Sequence, residues 1–115
     1  MIISLVNQKG GVGKTTAAIN LSVALKRKNN TLLFIDADPQ GSAVQWQGVE
    51  SNRAFEIKHR PGPINQTEIK AMAKQHDYIV IDAPPALGDI TRSILTVTDL
   101  AIIPLSPSPL DIWSC

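Results

Sequence analysis

The chain alternates between short apolar runs and stretches with helical spacing or helix-capping residues. Apolar, β-branched runs predict strands at residues 2–6, 31–36, 77–82 and 100–104, and alternation at 55–59 (FEIKH) predicts a half-buried or edge strand. The intervening stretches predict helices at residues 14–28, 42–48, 65–75 and 89–96, and another from Leu110. Asn65 or Thr67 is the expected cap of the third helix, and Asp89 that of the fourth. This alternation predicts the α/β class, with a mostly parallel sheet flanked by helices on both faces.

Candidate chemistry follows the predicted strands at three places. Residues 9–16 come after the first strand, Asp36 and Asp38 close or follow the second, and Asp82 ends the fourth. Ligands of parallel α/β sheets bind beyond the carboxyl ends of the strands. We therefore expect these three segments to meet at one edge of the sheet.

A glycine-rich loop, residues 9–16 (KGGVGKTT), joins the first predicted strand to the first predicted helix. Glycines let the backbone approach a ligand closely, and the helix start adds N–H groups and partial positive charge. This arrangement predicts a cradle for nucleotide phosphates. In it, Lys14 reaches the outer phosphates and the Thr15 hydroxyl ligates Mg²⁺. The predicted nucleotide-binding residues are Lys9, Gly10, Gly11, Val12, Gly13, Lys14, Thr15 and Thr16.

The loop departs from the usual Walker A pattern, because Gln8 stands where that pattern has its first glycine. A second lysine, Lys9, is followed by a Gly-Gly pair, and this resembles the deviant Walker A loop of the ParA/MinD superfamily. The resemblance implies a P-loop NTPase that binds ATP and Mg²⁺ and forms a homodimer when ATP is bound. It also implies that Lys9 acts in catalysis across the dimer, although a loop lysine that is simply solvated is the alternative.

Two acidic motifs complete the predicted site. Asp82 ends an apolar run, the Walker B arrangement in which a carboxylate meets Mg²⁺, although such an aspartate more often caps a turn or helix. Asp36 and Asp38 lie two residues apart in the segment 36–41 (DADPQG), which is also ordinary turn chemistry. The segment resembles the D-x-D-P-Q segment of ParA-type partition ATPases. The resemblance implies that Asp38 positions the attacking water and that Asp36 lies near the magnesium.

The motifs KGGVGKTT, DADPQG and YIVIDAPP, in this order, resemble the ParA-type ATPases of plasmid or chromosome partition. The resemblance implies Mg²⁺-dependent ATP hydrolysis in which Lys9, Lys14 and Asp38 are catalytic, and Thr15, Asp36 and Asp82 serve the metal. It further implies a ParB-like adaptor, nonspecific DNA as a partner, and a cytoplasmic, nucleoid-associated protein.

Two other functions stay open. The first alternative to the ParA-type ATPase is a non-catalytic nucleotide-binding or dimerisation fragment. The second is a MinD-like positioning ATPase, for which the sequence offers no C-terminal amphipathic helix. We expect residues 1–115 to be one domain and the N-terminal portion of a longer ATPase, because the sequence stops soon after Leu110 begins a predicted helix.

Composition argues against several other classes of protein and site. The net charge of +1 gives no strongly basic field for nucleic acid, and no run is long enough to span a bilayer, so no membrane partner is expected. Cys115 is the only cysteine, which excludes an internal disulfide and a multi-cysteine metal site. His59 and His76 have no metal-ligand spacing and are expected to be surface or capping residues.

Overall fold

The computed structural model describes residues 1–6, 14–39, 55–84 and 88–104. Within them the strands are β1 (Ile2–Leu5), β2 (Leu32–Asp36), β3 (Glu56–His59), β4 (Tyr78–Asp82) and β5 (Leu100–Ile102). The helices in the same residues are α1 (Lys14–Lys26), α2 (Gln66–Gln75) and α3 (Asp89–Val97). The strands pair in parallel in the order β3-β2-β4-β1-β5, which confirms the predicted α/β class.

The central strands are apolar because helices cover both faces of the sheet. On one face α1 packs against a cluster that includes Leu5, Phe34 and Val80. On the other face α2 and α3 pack, through Ile69 and Ile94, against side chains from the same three strands. Every residue of β1 and β2 is buried, which explains why their sequence signal is strong.

The two outer strands differ from the central ones. In β3, Ile57 is buried while Glu56 is exposed, so the predicted edge strand is confirmed. The predicted strand at residues 100–104 is shorter than expected and is not buried, since Leu100 is 47% exposed and Ile103 is 61% exposed. The physical reason is that, among the described residues, β5 has a neighbouring strand on one side alone.

Helix ends correct two sequence predictions and confirm a third. Helix α1 ends at Lys26 instead of residue 28, because Asn29 adopts a left-handed backbone (φ 62°) that closes the last turn. Asn65 is the cap of α2, and its side chain accepts from the Glu68 N–H at 3.0 Å. Asp89 is wrong as the cap of α3: extended Gly88 takes that position, and Asp89 is the first helical residue.

Two further predictions, the helix at residues 42–48 and the helix from Leu110, lie outside the described residues. None of the helices in the described ranges has the length and apolar character needed to cross a bilayer.

Strand register brings the carboxyl ends of the three central strands to one level. Asp82 at the end of β4 lies opposite both Leu5 of β1 and Asp36 of β2. Pairing continues one step beyond the strands, since the Ala37 N–H donates to the Asp82 carbonyl at 3.0 Å. The first turn of α1 lies against this edge, as the contacts of Lys14 and Thr15 below show.

Candidate nucleotide-binding site

Asp82 links β4 to the start of α1. Its side chain is fully buried and contacts two consecutive residues of that helix. The Lys14 ammonium forms an ion pair with Asp82 Oδ1, and the Thr15 hydroxyl donates to Asp82 Oδ2 at 2.7 Å. Because an unpaired buried charge is very unfavourable, Lys14 and Asp82 depend on each other at this position.

Asp36 is the register neighbour of Asp82 on β2 and is also fully buried. In-register residues of adjacent strands project to the same face of a sheet, so the two carboxylates share the face that α1 covers. Asp36 Oδ1 accepts from the backbone N–H of Asp38 at 3.1 Å. This contact from residue i to i+2 turns the chain as it leaves the sheet.

Asp38, which is 8% exposed, follows in a segment whose backbone is held by both neighbouring strands. From the β4 side, Ala37 N–H donates to the carbonyl of Asp82. From the β3 side, Arg60 N–H donates to the Asp36 carbonyl at 2.8 Å, and His59 Nε2 lies 2.9 Å from the Asp38 carbonyl. The backbone bearing the two acids is therefore fixed on either side of the strand end.

The structure brings five predicted site residues to the carboxyl edge of the sheet. They are Lys14, Thr15, Asp36, Asp38 and Asp82. Thr16 is in the first turn of α1 and is exposed, and residues 9–13 lie outside the described residues.

His59 also lies near this site, although its sequence context predicts no role for it there. Residues 55–59 predict an edge strand, but their sequence does not say which strand they pair with. The structure pairs β3 with β2 in parallel and sets His59 opposite Asp36. Nothing local in the sequence signals that neighbourhood, because the two residues belong to separate strands.

The donor set suits a nucleotide-bound magnesium ion more than a protein-enclosed one. Among the residues the structure describes, no three His, Cys, Asp or Glu side chains are grouped to hold a metal by themselves. Mg²⁺ at phosphate sites instead takes one or two protein oxygens and completes its shell with phosphate and water. The Thr15 hydroxyl and the Asp82 carboxylate, 2.7 Å apart, fit that requirement.

Comparisons with known proteins agree with this geometry. Residues 1–60 and 49–112 match the AAA domain family. The maintenance of carboxysome distribution protein A of Halothiobacillus neapolitanus is 34% identical over 116 residues, covering 97% of this chain and 53% of that relative. The chromosome partitioning protein ParA of Myxococcus xanthus is 32% identical over 145 residues, covering 90% of this chain and 51% of that relative.

The fold has the same relatives. A plasmid partition protein from Borrelia burgdorferi B31, solved bound to AMPPNP, superposes with a TM-score of 0.72 at 25% identity. The match covers 98% of this chain and 65% of that one. The chain spans about half the length of the curated relatives it matches.

The two curated relatives differ in how they align. The carboxysome protein aligns over 116 positions, nearly the same as the 115 residues of this chain, whereas the alignment with the partitioning protein takes 145 positions. The partitioning relative thus carries residues, within the matched region, that have no counterpart here. In the spacing of its matched segments, this chain is closer to the carboxysome protein of the two.

Proposed function

Because the chain belongs to the AAA domain family, and within it to the ParA-type partition ATPases, we propose that it forms the phosphate-binding and metal-binding part of a Mg²⁺-dependent ATPase. The reaction is ATP and water to ADP and phosphate. The observation that carries the proposal is the meeting of Lys14, Thr15 and Asp82 at the carboxyl edge of the sheet. A lysine, a hydroxyl and a carboxylate are the groups that P-loop enzymes use for phosphate and Mg²⁺.

Each group has a distinct task. Residues 9–16 surround the phosphates, and Lys14 binds the outer ones. A phosphate at the start of α1 competes with Asp82 for the Lys14 ammonium, which leaves Asp82 free to serve the metal together with Thr15. Bound Mg²⁺ neutralises charge that develops on the phosphates.

The two acids of the D-x-D-P-Q segment take separate parts. Asp36, buried on the strand next to Asp82, would support the magnesium site as a neighbouring carboxylate. Asp38 orients the attacking water, a task that needs a fixed backbone because misplacement by an ångström lowers the rate strongly. The hydrogen bonds to residues 36–38 from both neighbouring strands support this assignment.

Lys9 has its proposed role in the dimer. Two copies pair when ATP is bound, and Lys9 of each reaches the nucleotide of the other, where a second cation stabilises the transition state. A ParB-like adaptor, nonspecific DNA and a cytoplasmic, nucleoid-associated location belong to the same proposal and rest on family membership.

The alignment lengths favour a second candidate for the cargo. Of the two curated relatives described above, the one that matches this chain without long insertions is named for carboxysome distribution, not for chromosome partition. Positioning of a protein-based cargo is therefore the alternative to plasmid or chromosome partition, with the same ATPase cycle. Fluorescence microscopy of the tagged protein beside tagged replicon and tagged protein compartments separates them by which cargo loses its spacing on deletion.

Hydrolysis tests the catalytic core of the proposal. The protein at its natural length is assayed for phosphate release from ATP with Mg²⁺ and with EDTA, alongside Lys14→Gln. Lys26→Gln is the matched control, because Lys26 lies in the last turn of the same helix. We expect Mg²⁺-dependent turnover that Lys14→Gln abolishes and Lys26→Gln preserves. A protein that binds Mg²⁺–ATP without turnover would instead be a non-catalytic nucleotide-binding module.

A further inference from the structure

We propose that His59 is a positioning residue for hydrolysis, which holds the backbone of Asp38 through its imidazole Nε2. The inference rests on the proposed role of Asp38. His59 is the last residue of β3 and lies opposite Asp36 in the parallel pairing with β2. From there its ring reaches beyond the end of β2 to the Asp38 carbonyl, at 2.9 Å.

The hydrogen-bond chemistry fixes the direction of this contact. A backbone carbonyl only accepts, so the ring nitrogen that faces it must carry the proton. Both the neutral ring protonated at Nε2 and the imidazolium satisfy this, whereas the neutral ring protonated at Nδ1 does not. The contact therefore selects one tautomer of His59.

Asp38 is held at both of its peptide groups. Its N–H donates to Asp36 Oδ1 at 3.1 Å, and its carbonyl accepts from His59 Nε2 at 2.9 Å. With both groups anchored, rotation of the backbone about the Asp38 Cα is restricted, and so is the range of directions open to its carboxylate. His59 itself is exposed, so it acts on the site from outside and not as a catalytic residue.

A neighbouring contact reinforces the same hold. The N–H of Arg60, the next residue, donates to the Asp36 carbonyl at 2.8 Å. Consecutive residues at the end of one edge strand thus anchor both acids of the D-x-D-P-Q segment. The backbone contact of Arg60 survives side-chain substitution, whereas that of His59 does not, which makes His59 the position to test.

The test compares three variants in the protein at its natural length. His59→Phe keeps a planar ring and removes the donor, and His59→Gln restores an N–H at similar reach. The matched control is His76→Phe, since His76 Nδ1 also contacts a backbone carbonyl, that of Met72, at 3.0 Å but at the far end of α2. The readouts are kcat, the dissociation constant for Mg²⁺–ATP, and the unfolding midpoint.

We expect His59→Phe to lower kcat about fivefold, the effect of one hydrogen bond. The dissociation constant should stay within about twofold in both His59 variants, because neither changes the phosphate cradle. His59→Gln should restore kcat, because its side-chain N–H can again donate to the Asp38 carbonyl. His76→Phe should leave kcat unchanged. Unchanged kcat in His59→Phe, or equal loss in His59→Phe and His59→Gln, would overturn the inference.

Measuring the tautomer of His59 in the wild-type protein distinguishes failure of this inference from failure of the proposed function. It needs no variant to fold. Nitrogen-15 spectra of the wild-type imidazole at mildly alkaline pH should show His59 protonated at Nε2. If His59 is protonated at Nδ1 while ATP hydrolysis is normal, the inference fails and the proposed function stands. If the Nε2 form is present but Mg²⁺–ATP is neither bound nor hydrolysed, it is the proposed function that fails.

Discussion

Aspartates at the two ends of the same sheet are held in opposite ways. At the carboxyl end, Asp36 and Asp82 are fully buried, and Asp82 binds the side chains of Lys14 and Thr15. At the amino end, Asp77 and Asp99 are exposed and accept from backbone N–H groups. Asp77 Oδ2 accepts from Thr31 N–H at 2.8 Å, and Asp99 Oδ2 accepts from Ile2 N–H at 2.7 Å.

This difference in burial distinguishes carboxylates that stabilise the fold from carboxylates suited to a functional site. An exposed aspartate that caps a strand start loses little hydration and contributes modestly to stability. A buried aspartate loses its hydration entirely and is tolerated when a cation or donors replace the water. The carboxyl end of this sheet thus carries a group arrangement that stability alone does not favour, which is typical of a functional site.

The largest expected effect is on stimulated hydrolysis. Lys9→Ala should reduce it on the order of 10³-fold, as loss of a cation supplied in trans does in phosphoryl transfer. ATP-dependent dimerisation should also be lost, while ATP binding changes less. Sedimentation with ATP and phosphate release with the adaptor measure these quantities. Lys28→Ala, an exposed lysine just after α1, is the control, and unchanged dimerisation and turnover in Lys9→Ala would reject the trans role.

Stability should respond strongly at the carboxyl end. Asp82→Ala leaves Lys14 charged and buried without its ion-pair partner, which costs about 3–5 kcal/mol of unfolding free energy. Urea unfolding measures the loss. Replacing both members, Lys14→Met with Asp82→Leu, should recover most of it, because no lone charge then remains. A double variant as unstable as Asp82→Ala would show that the pair is not what matters.

Substitutions at the two ends of the sheet should differ more in their effect on kcat than in their effect on stability. Asp38→Asn should lower kcat on the order of 10²-fold, because an amide holds the attacking water less well, with the Mg²⁺–ATP dissociation constant little changed. Asp77→Asn, the same change at the amino end, should leave kcat at the wild-type value. Equal rates in the two variants would remove Asp38 from the mechanism.

The smallest effect is expected at the amino end. Asp99→Ala removes one acceptor for the Ile2 N–H and should lower the unfolding free energy by about 1 kcal/mol. Hydrolysis per folded molecule should not change. A loss of several kcal/mol, or a fall in kcat, would mean that the two ends of the sheet are less distinct than the burial of their aspartates suggests.

The strands and the place of the site could be predicted where a clear apolar run ends in a polar residue at the carboxyl end of a strand. β2 and β4 are buried on both faces, so their apolar runs are unambiguous, and a parallel sheet necessarily collects Asp36 and Asp82 at one edge. The cap of α3 was missed because Asp89 and Gly88 are both acceptable at adjacent positions. Helix ends are decided by one residue's backbone, as at Asn29.

Long-range pairing explains what could not be predicted. The sequence of residues 55–59 identifies an edge strand but not its neighbour, so the contact between His59 and Asp38, 21 residues apart, follows from strand order alone. The exposure of β5 has the same origin, because an apolar run predicts a buried strand whatever its place in the sheet.

Paramagnetic broadening by Mn²⁺–ATP locates the nucleotide and its metal on the sheet, since Mn²⁺ occupies Mg²⁺ sites and broadens nearby amide signals. We expect the amides of Thr15, Asp36 and Asp82 to broaden in the presence of ATP, while those of Asp77 and Asp99 stay sharp. Broadening at the amino end instead, or none at either end, would contradict a nucleotide and metal site at the carboxyl edge of the sheet.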